Sequence, residues 1–271
     1  MHNNNELVVE ARATTPALVT FNQGLNNFDL LILDDTDGVN ADSVTIAVNN
    51  GDLGNFGVIL GSNSGAGTTG ARTVMANVMN RGTVRAETDL TIMGDQFDTS
   101  MGIIDVSLGA NVIVNTVQTT FDDVTRLIGS DVDNSDQVQI NSPTLLLAGD
   151  YVHSTDANLY LTGVVTVVGS DFVNDSLFIT HAADDVFNVF VENRGTLLVE
   201  GQSGTDATLT VQQGLANSGT ILLDDLDNNM AVLDVTGGQL FNDMNGEIRA
   251  LNTGGATTGP RVITASIDNH G

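Results

Sequence analysis

Apolar and polar residues alternate along much of the chain in short runs, and many of these runs lead into a glycine or an asparagine. Leu209-Thr210-Val211, Leu233-Asp234-Val235, Val44-Thr45-Ile46, Leu90-Thr91-Ile92 and Val165-Thr166-Val167 place an aliphatic side chain on every second position. A period of two predicts strands with one buried face. The runs share a frame, in which a strand is followed by one more apolar residue and then by Asn-x-Gly-x-aliphatic. It is clearest at Leu215, Asn217, Gly219 and Ile221 and recurs at Leu240, Asn245, Gly246 and Ile248. Corner asparagines are expected at 27, 55 and 80 and then at 193, 217, 245 and 269, in steps of 24 to 28 residues within each group.

Two or three strands of four to six residues plus corners need about 20 to 30 residues, the length of one coil of a parallel β-helix. Val, Ile, Leu and Thr suit inward positions that stack like on like, while Gly and Asn accept the corner backbone and stacked Asn amides bond from coil to coil. Parallel crossovers are right-handed. The expected fold is therefore an all-β, right-handed parallel β-helix (β-solenoid) of about 10–12 coils. Tandem β-sandwich domains are the alternative, since they also alternate with frequent turns, but they do not predict the Asn-x-Gly corner.

A longer repeat overlies the coils. Gly24-Leu25-Asn26-Asn27 leading to Leu33-Asp34-Asp35 returns as Gly214-Leu215-Ala216-Asn217 leading to Leu223-Asp224-Asp225, a shift of 190 residues. Gly70-Ala71-Arg72 and Asn80-Arg81-Gly82 return as Gly259-Pro260-Arg261 and Asn269-His270-Gly271, a shift of 189. Residues 1–271 are thus expected to be one solenoid segment holding slightly more than one period of a long tandem repeat, with adjacent repeats of the same parent chain as neighbours. Residues resembling Thr83-Val84-Arg85-Ala86-Glu87 are expected next, and open coil ends invite end-to-end self-association. Residues 95–190 are less regular and are expected to include protruding loops.

Asn80-Arg81-Gly82-Thr83-Val84, Asn193-Arg194-Gly195-Thr196-Leu197 and Asn217-Ser218-Gly219-Thr220-Ile221 resemble the coils of large bacterial exoproteins, the filamentous-haemagglutinin-like and autotransporter-passenger β-solenoids. The resemblance is to a repeat style over about half the chain. It implies a structural or adhesive role at the cell surface. The tandem G-G-x-G-x-D of calcium-binding nonapeptide repeats does not occur.

Charge narrows the partners. Thirty-four acidic residues, 28 of them Asp, face eight Arg and no Lys, for a net charge of −26. Such a field repels phosphate backbones and anionic headgroups, so nucleic acid is not an expected partner. No apolar run is long enough to span a bilayer as a helix, so direct membrane insertion is not expected either. The absence of Cys excludes disulfides, thiolate zinc sites and cysteine nucleophiles. The chain is expected to be secreted or at the cell surface, with an export signal lying outside this stretch.

Aspartates supply the only candidate chemistry. Asp34, Asp35, Asp37 and Asp42 crowd one turn, Asp224, Asp225 and Asp227 repeat it, and Asp131, Asp133 and Asp136 form a third group. Flexible turns rich in hard oxygen ligands suit Ca2+, though no cofactor is required. The simpler reading is a solvated acidic corner. Paired Asp residues also invite comparison with polysaccharide lyases and hydrolases, but adjacent strand residues point to opposite faces and no Lys is available as a base. His2, His153, His181 and His270 stand apart in sequence. The expected function is structural and adhesive, by weak multivalent binding to glycans or cell-surface proteins. A carbohydrate-processing solenoid is the alternative, and catalysis is not expected.

Overall fold

The computed structural model describes all residues except 13–14, 37–41, 66–69, 130–136, 155–156, 182–183, 203, 227 and 255–258. Among the described residues the only regular structure is strand, and the strand ladders are parallel. The chain divides into two compact units, Met1–Gln139 and Ile140–Gly271. Both are parallel β-solenoids, and together they hold about ten turns. Tandem β-sandwiches are excluded, because a sandwich is built from antiparallel hairpins and Greek keys.

In the first unit one sheet stacks Leu7–Ala11, Leu30–Asp35, Val58–Ser62, Thr83–Ala86, Ile103–Val106 and Arg126–Ile128. The rest of each coil runs through long strands, Val44–Asn55, Arg72–Asn80, Leu90–Asp98 and Asn111–Phe121. Their pairing slips between Ala47 and Asp52 and between Met93 and Phe97. Such bulges bend a strand around a corner without ending it. The inward column Leu25, Leu53, Val78, Phe97 and Thr119 is fully or almost fully buried. Stacking like on like removes roughly 25 cal/mol worth of exposure per Å2 of apolar surface, so each coil stabilises the next.

The second unit resolves each coil into three separate strands, such as Phe172–Asn174, Leu177–His181 and Asp184–Phe187. Its interior packs Phe172, Phe178 and Phe187 edge to face, with centroids 5.1 to 5.6 Å apart. This geometry suits the aromatic quadrupole.

A ladder of asparagines, buried except at its end members Asn3 and Asn269, runs up one corner of each unit. Asn3, Asn27, Asn55 and Asn80 each pass Nδ2 to the next member's Oδ1, and Asn80 ends the series on Thr99 Oγ1 at 3.0 Å. Asn174, Asn193, Asn217, Asn242 and Asn269 do the same at 2.7 to 2.8 Å. A second Nδ2 bond reaches a strand carbonyl, as from Asn55 to Thr83 O at 3.0 Å. Both amide hydrogens are thereby satisfied away from water.

The expected corner at Asn245 is corrected to Asn242, which ends its strand in register with Asn217 and Asn269. Two extra residues separate it from Gly246, so Asn245 falls in the turn. Asn174 is a member that the pattern omits, because Ser176 stands where the frame demands Gly.

Candidate functional site

The described aspartates of two of the turns are not solvated. Asp34, Asp35, Asp224 and Asp225 are all buried. Asp34 accepts bonds from Ser64 N at 2.9 Å and Ser64 Oγ at 2.5 Å. Asp224 accepts the equivalent pair from Thr253, at 3.1 and 2.6 Å. Asp225 accepts from Asn229 N at 2.8 Å and from Gly259 N, and Arg261 Nη1 lies 3.5 Å away. Burial pushes the Asp225 carboxyl up, but the Gly259 and Asn229 bonds and the Arg261 charge outweigh it and hold it below its usual range.

An arginine completes each clip. Arg72 is fully buried and donates to Ser62 O at 2.8 Å, to Asn63 Oδ1 at 3.3 Å and to Gly70 O. Arg261 donates to Gly259 O at 2.5 Å and to Leu251 O. Burial lowers the Arg72 pKa while Asp35 and Asp34 oppose it, so the guanidinium is the nearby countercharge for these carboxylates. Among the described residues, Asp35 has both carboxylate oxygens, and Asp42 its Oδ2, buried without a hydrogen bond. The sequence repeat at 189–190 residues is therefore a repeated loop clip. Asp37, Asp131, Asp133, Asp136 and Asp227 lie outside the described residues. Among the described residues no three His, Asp or Glu side chains gather as a metal group.

Two histidines have partners that their sequence positions conceal. His181 is in register with Glu200, and its Nδ1 lies 3.2 Å from Oε2. Burial, helped by Asp224, raises the Glu200 carboxyl to about 7. His153 occupies the ladder position before Asn174, where burial lowers its imidazole to about 4 against a bond to Leu177 O.

The outer surface of the first unit carries what the sequence reading missed. The strand Arg72–Asn80 alternates buried Val74, Ala76 and Val78 with exposed Met75 and Met79. Met93 lies beside Met75 in register and is also exposed, as is Met101. Methionine on the solvent phase of a strand is the legible signal. Phe28 and Phe56 are about half exposed and stack at 5.0 Å with their planes 12° apart.

Where the strands bulge, a groove of about 550 Å3 opens, floored by Met75 and Met93 and walled by Asn49, Asn77, Asp95 and Asn115. Gly51 permits the bend at φ 102°. Gly94 lies so close to the next strand that a Cβ there would strike the Ala76 carbonyl oxygen. Asn77 Oδ1 accepts from Asp95 N at 2.9 Å and Gln96 N at 3.3 Å, fixing the wall. Asn49 donates to Asn22 Oδ1 at 3.2 Å. The groove has a soft apolar floor, a rim of side-chain amides and one exposed carboxylate, a set suited to holding a ligand and lacking an assembled acid–base pair.

No family model, curated protein or solved structure matches this chain. The likeness to haemagglutinin-like coils accordingly rests on corner sequences, and the architecture it accompanies is that of a parallel β-solenoid repeat protein.

Proposed function

We propose that this chain is a structural and adhesive segment of a large, repetitive, secreted or cell-surface protein of the bacterial exoprotein type. It holds weak binding faces at fixed spacing. The observation that carries the reading is that Met75 and Met93, side by side in register, are exposed on the first unit, which also exposes Met79, Met101 and the stacked pair Phe28 and Phe56. Large apolar side chains gathered on a solvent face mark an interaction surface, and methionine suits one that adapts to varied partners. The ladder and clips beneath it keep the backbone stiff, so little ordering entropy is lost on contact.

Repetition supplies the affinity. The 189–190-residue shift keeps the corners and clips but not this face, since Thr264, Asp268 and Ser218 stand where Met75, Met79 and Phe28 do; tandem copies of the whole segment convert weak single contacts into avidity gains of roughly 100-fold or more. Beads carrying one copy or four tandem copies test this on epithelial monolayers and glycan arrays. Retention should rise steeply with copy number and fall when Met75 and Met93 become serine. Equal retention of coated and bare beads at every copy number would remove the adhesive role. Reproducible cleavage of a polysaccharide, abolished by a single Asp→Asn change, would replace it with the enzymatic one.

A further inference from the structure

We infer that the methionine-floored groove of the first unit is a docking site for an extended basic peptide segment. The inference rests on the adhesive reading and names the ligand class of that face. Met75 and Met93 offer a polarisable floor on which the aliphatic stem of an arginine or lysine, or a leucine beside it, can lie. Asp95 stands at the edge with an exposed carboxylate that no hydrogen bond engages among the described residues. Asp52 lies opposite Asn77 in the adjoining strand, and Asp98 lies opposite Met79. No arginine lines the groove, and the chain as a whole carries −26. The field at this site is therefore of one sign, and it steers a cation inward.

An extended peptide also needs partners for its backbone. The amides of Asn49 and Asn77 place donors and acceptors along the wall, and each is fixed by a bond of its own. The groove crosses strands spaced about 4.8 Å apart, so its width accepts roughly three to four extended residues. Glycans fit less well. Among the described residues no aromatic side chain lines the groove, so it offers no flat platform for a sugar, and sulfated or uronic chains would be repelled.

Fluorescence anisotropy with a labelled hexapeptide alternating arginine and leucine tests the inference on the full chain. Binding should be saturable and should weaken about tenfold in each of two variants, Asp95→Asn and the double change Met75→Ser with Met93→Ser, with melting curves unchanged. A control hexapeptide alternating glutamate and leucine should not bind. Raising the salt to about 0.5 M should weaken the arginine peptide severalfold by screening Asp95. No binding, or binding that both variants retain in full, would overturn the docking site, the latter reducing it to diffuse charge attraction. Copy-dependent bead retention is read separately, so loss of this ligand class leaves the adhesive reading standing, and loss of both removes it.

Discussion

Asn193 donates its Nδ2 to Asn217 Oδ1 at 2.7 Å, and the same nitrogen donates to Thr220 O at 3.0 Å. One side chain thereby links two coils twice, deep in a corner from which water is excluded. An amide so placed gains only about 0.5–1.5 kcal/mol per bond, but a partner left alone loses about 1–3 kcal/mol. The ladder acts mainly through what its interruption would cost.

Asn217→Ala should therefore lower unfolding stability by about 2–4 kcal/mol, because it strands the Asn193 amide and the Asn242 carbonyl together. Asn245→Ala, three residues beyond the true corner, should change stability by about 0.5 kcal/mol or less. Urea midpoints of the two variants decide which asparagine belongs to the ladder, and the reverse order would refute the assignment.

Arg72→Met should cost about 3–5 kcal/mol, since it leaves Asp35 buried without a countercharge. Adding Asp35→Asn should recover much of that loss, and Arg72→Lys should not, because three acceptors are arranged around a planar fork. Thermal melts with chelator and with millimolar calcium should agree for all of these variants. A melt of the unaltered chain that rises with calcium would give these turns an ion as well as a clip.

Asp185 gives the second unit a pH dependence. Its carboxyl is raised to about 7 by burial, against bonds from Thr180 and Val165, with Asp184 adding to the rise. The folded chain keeps this proton where the unfolded chain, with a value near 3.8, gives it up. The contribution to stability is whole below about pH 4 and is lost as pH rises through about 7. Asp185→Asn should remove that slope and stabilise the protein by about 1–3 kcal/mol at about pH 8. An unaltered slope in denaturant melts would assign the dependence elsewhere.

His153 works in the opposite sense. Its folded value of about 4 lies below the ordinary 6.5, so its contribution is present above about pH 6.5 and is lost as pH falls towards 4. The Nε2 nitrogen meets Leu177 O at 3.0 Å while Nδ1 is buried and, among the described residues, without a partner. His153→Asn should lessen the acid-induced loss and add a rung to the ladder above Asn174. Melting temperatures at about pH 7 and pH 4.5 measure it, and an equal drop in both proteins would exclude His153 as the source.

The strand chemistry, the parallel coil and most of the corners are local matters, which is why alternation and Asn-x-Gly spacing reveal them. Each coil repeats the same small problem, so periodicity in sequence becomes periodicity in space. Corner membership is less local, because it depends on which residue ends its strand in register. That is why Asn242 displaces Asn245 and why Asn174 needs no glycine after it.

How each side chain is used depends on contacts made across coils. Asp34 meets Ser64 across 30 residues, and Asp225 meets Gly259 across 34. An acidic pair that reads as a solvent-facing or ion-binding turn thus becomes a buried clip. The groove is a tertiary object in the same way, since Met75, Met93 and Asp95 converge only where stacked strands bulge together. The sequence by itself determined the stack, because stacking is dictated by residue type at a fixed period. Folding decided the surface, because a face is assembled from residues that the period alone leaves about one coil apart.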